Sequence, residues 1–253
     1  MIRKRIEILG VLVDAVSSDD LLAAVSDAIE RKAKMVYAYA NVHTVNLAQE
    51  SESLRAFLND ADITYPDGEG LRVAARLLGG EFPPPTGLTR WIWRLAEHCE
   101  AKGYSIYLLG GIEGAAEQAS ANLRTRFPRL KIVGTRHGYF RDDESEGIVE
   151  GVNSSNSNVL LVGFGTPRQE AWIEQWREQL KVNVIFPAGS AIEYAAGIRN
   201  PAPEWASRLG IEWIFRLAAE PGRLFGRYVF GNPKFLWSVM NQRMAAKNFT
   251  KNG

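Results

Sequence analysis

From Met35 to Gly189 the chain repeats one pattern: a short apolar run, a turn rich in glycine or proline, then an amphipathic segment. The apolar runs are MVYAYAN (35–41), ADITYPDG (61–68), YSIYLLGG (104–111), LKIVG (130–134), NVLLVGFG (158–165) and VNVIFPAG (182–189). Between them, EGLRVAARLLGG (69–80), TRWIWRLAEHCEAK (89–102), EGAAEQASANLRTRF (113–127) and TPRQEAWIEQWREQL (166–180) read as helices. Strands this short and apolar on both sides need cover on both faces. The expectation is an α/β, Rossmann-like fold with a mostly parallel sheet and helices on both faces. Past Gly197 the strand pattern stops. IEWIFRLAAEPGRLFGRYVFGNPKFLWSVMNQRM (211–244) reads as helix only, with breaks at Pro221 and Pro233. The division expected is a body over 1–197 and a basic, aromatic-rich helical appendage over 198–253.

Charge follows the same division. The net charge is +1, but from Trp205 to Gly253 eight basic residues face two acidic ones, a balance of +6, and the remainder has 22 against 27, or −5. A basic, aromatic tail on an acidic body suits anions: a nucleotide, a lipid headgroup or a nucleic acid. The acidic body and the lack of a nucleic-acid-binding motif argue against the last. Cys99, the one cysteine, excludes an internal disulfide and an all-cysteine metal site. The three histidines show no metal-ligand spacing, so no metal and no bound cofactor are expected. No secretory signal and no membrane-spanning run of apolar residues is visible, which points to a cytoplasmic location.

In an open parallel sheet, ligands bind beyond the carboxyl ends of the strands, where helix N-termini offer N–H groups to phosphates. The turns LLGGIEG, LVGFGTPRQE and FPAGSA stand at such ends, which makes Gly110, Gly111 and Gly165 candidates, with Arg168 and Gln169 in the following turn. GFGTPR lacks the third glycine of a dinucleotide fingerprint, which argues against a nucleotide-dependent oxidoreductase. Asn41 and His43 end the first run, and Asp67 ends the second. If the two strands are neighbours, these three meet. Taken locally, Pro66-Asp67-Gly68 reads as a turn or helix-capping aspartate more readily than as a general base. Arg216, Arg223 and Arg227 read either as a solvated basic face or as a clamp for a diphosphate.

In their order and spacing, the strand-end Asn41, ADITYPDGEG, LLGG, FPRLKIVGTRHGYF, VGFGTPRQEAWI, AGIRNPAPEW and GIEWIFRLAAEPGRLFGRY resemble the WecG/TagA/CpsF family of bacterial glycosyltransferases, from about Ile6 to about Leu236. The resemblance implies inverting transfer from a UDP-sugar to an undecaprenyl-diphosphate-linked acceptor without a required metal, in the synthesis of cell-surface polysaccharide. Together with the basic, aromatic tail it points to an enzyme peripheral on the inner face of the plasma membrane and bound to an anionic surface; a homo-oligomer is one option. The resemblance reassigns Asp67 as the catalytic base and makes Asn41 and Gln169 sugar-nucleotide contacts. Arg216, Arg223 and Arg227 become the groups that meet a diphosphate. The chain departs from the family's usual residues at Tyr39, Thr89, Arg168, Glu193 and Pro201. These departures leave a non-catalytic sugar-nucleotide-binding protein as the alternative.

Overall fold

A computed structural model describes residues 4–84, 87–203, 205–206 and 211–251, with no side-chain description at 88, 223 and 247–251. The chain opens with an antiparallel hairpin, β1 (Arg5–Ile8) and β2 (Val11–Asp14). There follow α1 (Ser18–Glu30), β3 (Met35–Ala40), α2 (Val42–Glu50), α3 (Glu52–Asp60), β4 (Ile63–Pro66), α4 (Glu69–Leu77) and α5 (Leu88–Lys102). Next come β5 (Ser105–Gly110), α6 (Ala115–Arg126), β6 (Lys131–Arg136), α7 (Ser145–Ser154), β7 (Val159–Gly163), α8 (Arg168–Trp176), β8 (Val184–Pro187) and α9 (Ala191–Ala195). Strands β3 to β8 form one six-stranded sheet in the order β4-β3-β8-β7-β5-β6, and every pairing in it is parallel. All six carboxyl ends therefore lie along one edge.

The strand residues alternate between two cores, as their period of two requires. Val36, Ala38, Leu160, Val162 and Ile185 face one, and Tyr37, Ile106, Leu108, Leu161 and Phe186 the other. The hairpin, α2, α3, α4, α7 and α8 contribute to the first core, and α1, α5, α6 and α9 to the second. The edge strand β4 is protected by the hairpin: buried Asp14, paired with Arg5 at 2.9 Å, accepts the Thr64 N–H at 2.9 Å. That bond fills an edge donor otherwise open to a foreign strand.

The hairpin, α1, α7, α9 and the 3₁₀ turn Asp142–Glu144 are absent from the sequence reading, which has one helical segment, with Val45, Leu47, Leu54 and Leu58, where α2 and α3 stand. The carboxyl-terminal segment is helical as expected, in α10 (Glu212–Ala219), α11 (Pro221–Phe225), a π-helical turn (Gly226–Phe230) and α12 (Gly231–Lys251). The break at Pro221 is present. The one expected at Pro233 is not: the helix runs on from the π-helical turn through Gly231 to Lys251. Helix α12 returns to the body: Phe235 and Val239 are fully buried in the first core. Asn46 donates to Gly231 O at 2.8 Å, and the Gln242 amide accepts the Leu9 N–H at 3.0 Å.

Candidate active site

A cleft of about 360 Å³ runs along the carboxyl edge of the sheet. Every strand of the sheet sends a residue to its wall: Asn41 after β3, Asp67 after β4, Gly111 after β5, Tyr139 after β6, Thr166 after β7 and Ser190 after β8. The strand ends can converge because their glycines are bare. A Cβ on Gly110 would lie 2.5 Å from Gly163 O, and one on Gly163 would lie 2.8 Å from Gly189 O. These contacts are with backbone, so no rotamer change relieves them, and the three turns pack closer than side chains would allow.

Asp67 lies at one end of the cleft. It does not cap α4: the capping position is Gly68, and no side chain caps that helix. Its carboxylate instead accepts a hydrogen bond from Asn41 Nδ2 at 3.3 Å. Asn41 serves two purposes. Its Oδ1 caps α2 by accepting the N–H groups of His43 and Thr44, each at 3.0 Å, which fixes the amide so that its nitrogen faces Asp67. Register makes this meeting possible, since β3 and β4 are neighbours with Ala40 opposite Pro66.

Desolvation raises the pKa of Asp67 above the ordinary aspartate value, while Arg216, the Asn41 hydrogen bond and Arg227 pull it down and Glu212 pushes it up. Arg216 comes from α10 and is held by Glu212 one turn earlier at 3.0 Å. Its guanidinium lies 5.5 Å from the Tyr194 ring, and its Nε is buried without a hydrogen-bond partner. Arg227 comes from the π-helical turn, a helix irregularity often found at functional sites. Burial lowers its pKa, so this cation is held in the wall with incomplete compensation.

A second cavity of about 530 Å³ lies on the other side of Asp67, between α4 and the carboxyl-terminal helices. Asn41, His43, Asp67, Arg216 and Arg227 line both cavities, and the other walls of the second include Val42, Val73, Trp213 and Phe235. Among the described residues, no three His, Cys, Asp or Glu side chains gather as a metal site would require.

Of the residues singled out by sequence, Asn41, His43, Asp67, Gly111, Gly165, Arg168, Arg216 and Arg227 all line the cleft. Gly110 lies beneath it against Gly163. Gln169 is fully buried, and both ends of its amide are occupied. It donates to the Tyr39 hydroxyl at 3.0 Å and to Glu170 at 2.7 Å, and it accepts the Gly189 N–H at 3.0 Å. Gln169 thus ties the ends of β3, β7 and β8 together from below. The Arg223 side chain lies outside the described residues. Arg168 bonds the carbonyls of Gly138 and Phe140 and lies over the rings of Phe140 and Phe164, which braces the loop after β6.

Sequence reasoning did not pick out Tyr139, Thr166, Ser190 or Arg199 as cleft residues. Tyr139 is 70% exposed at the rim, and an exposed aromatic in a loop is the one signal that could have marked it. Arg199 binds Glu193 of α9 and also Glu220 at the end of α10, so it joins the body to the appendage across the cleft. A family model for the glycosyl transferases of the WecG/TagA/CpsF family matches residues 6–249. The match takes in the hairpin, the whole sheet and the helices that supply Arg216 and Arg227, and the chain belongs to that family of glycosyl transferases.

Proposed function

We propose that the chain transfers a sugar, with inversion, from a UDP-sugar to a sugar hydroxyl on a lipid-diphosphate such as undecaprenyl diphosphate, in the synthesis of a cell-surface polysaccharide. The observation that carries this reading is the position of Asp67 in the wall common to both cavities. The donor occupies the cleft at the strand ends, and the acceptor enters from the second cavity. Asp67 takes the proton of the acceptor hydroxyl as that oxygen bonds to the anomeric carbon. The bond from that carbon to the UDP oxygen breaks on the opposite face, which inverts the centre. Arg216 and Arg227 offset the negative charge that grows on the departing diphosphate. With two cations in place the reading requires no metal, and the site residues are Asp67 as base with Asn41, His43 and the arginines as substrate contacts.

The test is a panel of UDP-sugars with a synthetic lipid-diphosphate-sugar acceptor, scored for UDP release and product mass. Asp67→Asn is expected to lower turnover by about a hundredfold or more, the usual worth of general-base help, while UDP affinity stays within a few-fold. Wild-type turnover in that variant would remove Asp67 from the chemistry. Turnover is expected to persist in chelator; loss that an added divalent ion restores would contradict the metal-free mechanism.

A further inference from the structure

The second cavity has a wall that the transfer reaction does not yet use. Trp213 of α10 is 39% exposed, and its ring stands 5.8 Å from that of Tyr228 at an interplanar angle of 53°. Both rings line the second cavity and neither lines the first. Asp67 and Asn41 stand in the same cavity, with Glu69 and Arg90 also in its lining. Arg90 is anchored on the appendage side by a bond to Ala202 O at 3.1 Å.

An aromatic face flanked by carboxylate, amide and guanidinium groups is the composition that recognises a pyranose. The apolar C–H face of the ring lies on the aromatic, and the hydroxyls reach the polar groups. A purely apolar occupant would shut Asp67, Asn41, Glu69 and Arg90 off from water without offering them anything in return, which is costly. We infer that Trp213, backed by Tyr228, is the platform on which the acceptor sugar stacks, so that one of its hydroxyls is presented to Asp67. The inference rests on the proposed transfer reaction and assigns its acceptor subsite.

Trp213 lines the second cavity and not the donor cleft, so its loss should weaken acceptor binding more than donor binding. The experiment measures Trp213→Ala and Trp213→Phe with two acceptors: a sugar diphosphate on a short isoprenoid chain, and the same sugar diphosphate without the chain. Trp213→Ala is expected to raise the KM for both acceptors by about tenfold, while donor KM and donor hydrolysis in the absence of acceptor shift by no more than about threefold. Trp213→Phe keeps an aromatic face and is expected to stay within about threefold of wild type. An unchanged acceptor KM in Trp213→Ala overturns the assignment. So does a loss confined to the chain-bearing acceptor, which would place Trp213 on the lipid, or an equal loss of donor hydrolysis, which would make it a packing residue. If the wild type itself releases no UDP from any donor, the transfer reaction fails instead, and the two failures are distinguishable.

Discussion

At the scale of single residues, Asp67 is held between opposing influences. Desolvation keeps its proton on, Arg216, Asn41 and Arg227 draw it off, and Glu212 opposes them. A general base works deprotonated, so kcat/KM should fall as the pH drops through this raised pKa, and the acidic limb should lie above the ordinary value of 3.8. Arg216→Ala removes the strongest of the lowering influences and should move that limb to higher pH. A limb that does not move, measured as kcat/KM against pH, would mean that another group produces it. For stability, Asp67 favours the fold only while protonated, and that contribution is lost as pH rises through its folded-state pKa. None of this was visible in Pro66-Asp67-Gly68, which taken alone reads as a turn. The environment of Asp67 comes from residues 26 positions before it and more than a hundred after it: strand register brings Asn41, and the return of the carboxyl-terminal helices brings Arg216 and Arg227. Gln169 shows the other side: a polar residue after a glycine turn reads as a ligand contact, and in the fold both ends of its amide are engaged, with Tyr39, Glu170 and Gly189. Tyr39, Thr89, Arg168 and Glu193, where the family resemblance led the sequence reading to expect other residues, all line the cleft.

At the scale of elements, the parallel sheet was legible because its strands are apolar on both faces, a pattern few other structures share. The hairpin was not, because Arg5–Ile8 alternates exposed and buried residues over only four positions, too few for a period to stand out. Helix α1 was marked by Ser17 and Asp20, which form a reciprocal cap, but that signal passes for an ordinary polar stretch. The reach of α12 was the least legible, since a basic helix with scattered aromatics gives no sign of which of them is core. Phe235 fills a site between α12, α2 and α4 and is fully buried. Phe235→Ala should cost about 3–5 kcal/mol, through lost burial and the cavity left behind, read from the urea midpoint. The neighbouring Trp237, 66% exposed, should cost less than about 1 kcal/mol on the same substitution. Equal effects at the two positions would show that α12 is not seated as described.

At the scale of the whole molecule, charge and apolar exposure coincide. The described carboxyl-terminal helices expose Phe225, Phe230, Trp237, Met240 and Met244, the largest at 68% for Phe230, in the region whose balance is +6. No helix among the described residues is long and apolar enough to cross a membrane. Cationic charge beside exposed aromatics is the pattern of a surface that lies on an anionic bilayer. Full-length protein is expected to co-sediment with anionic liposomes at low salt and less at high salt, and Phe230→Ser with Trp237→Ser should weaken that binding at both. Sedimentation that ignores salt and both substitutions would leave the appendage as a structural cap only. The bonds of Gln242 to Leu9 and Glu7 bear on how such a chain is made. A ribosome delivers the sheet before the helices that follow it, so β3 to β8 emerge while the site for Phe235 stands open, and Arg216 and Arg227 join Asp67 only after the sheet has been made. Until then the nascent chain carries an apolar groove that a chaperone can hold and an Asp67 carboxylate without the two cations that flank it in the finished fold.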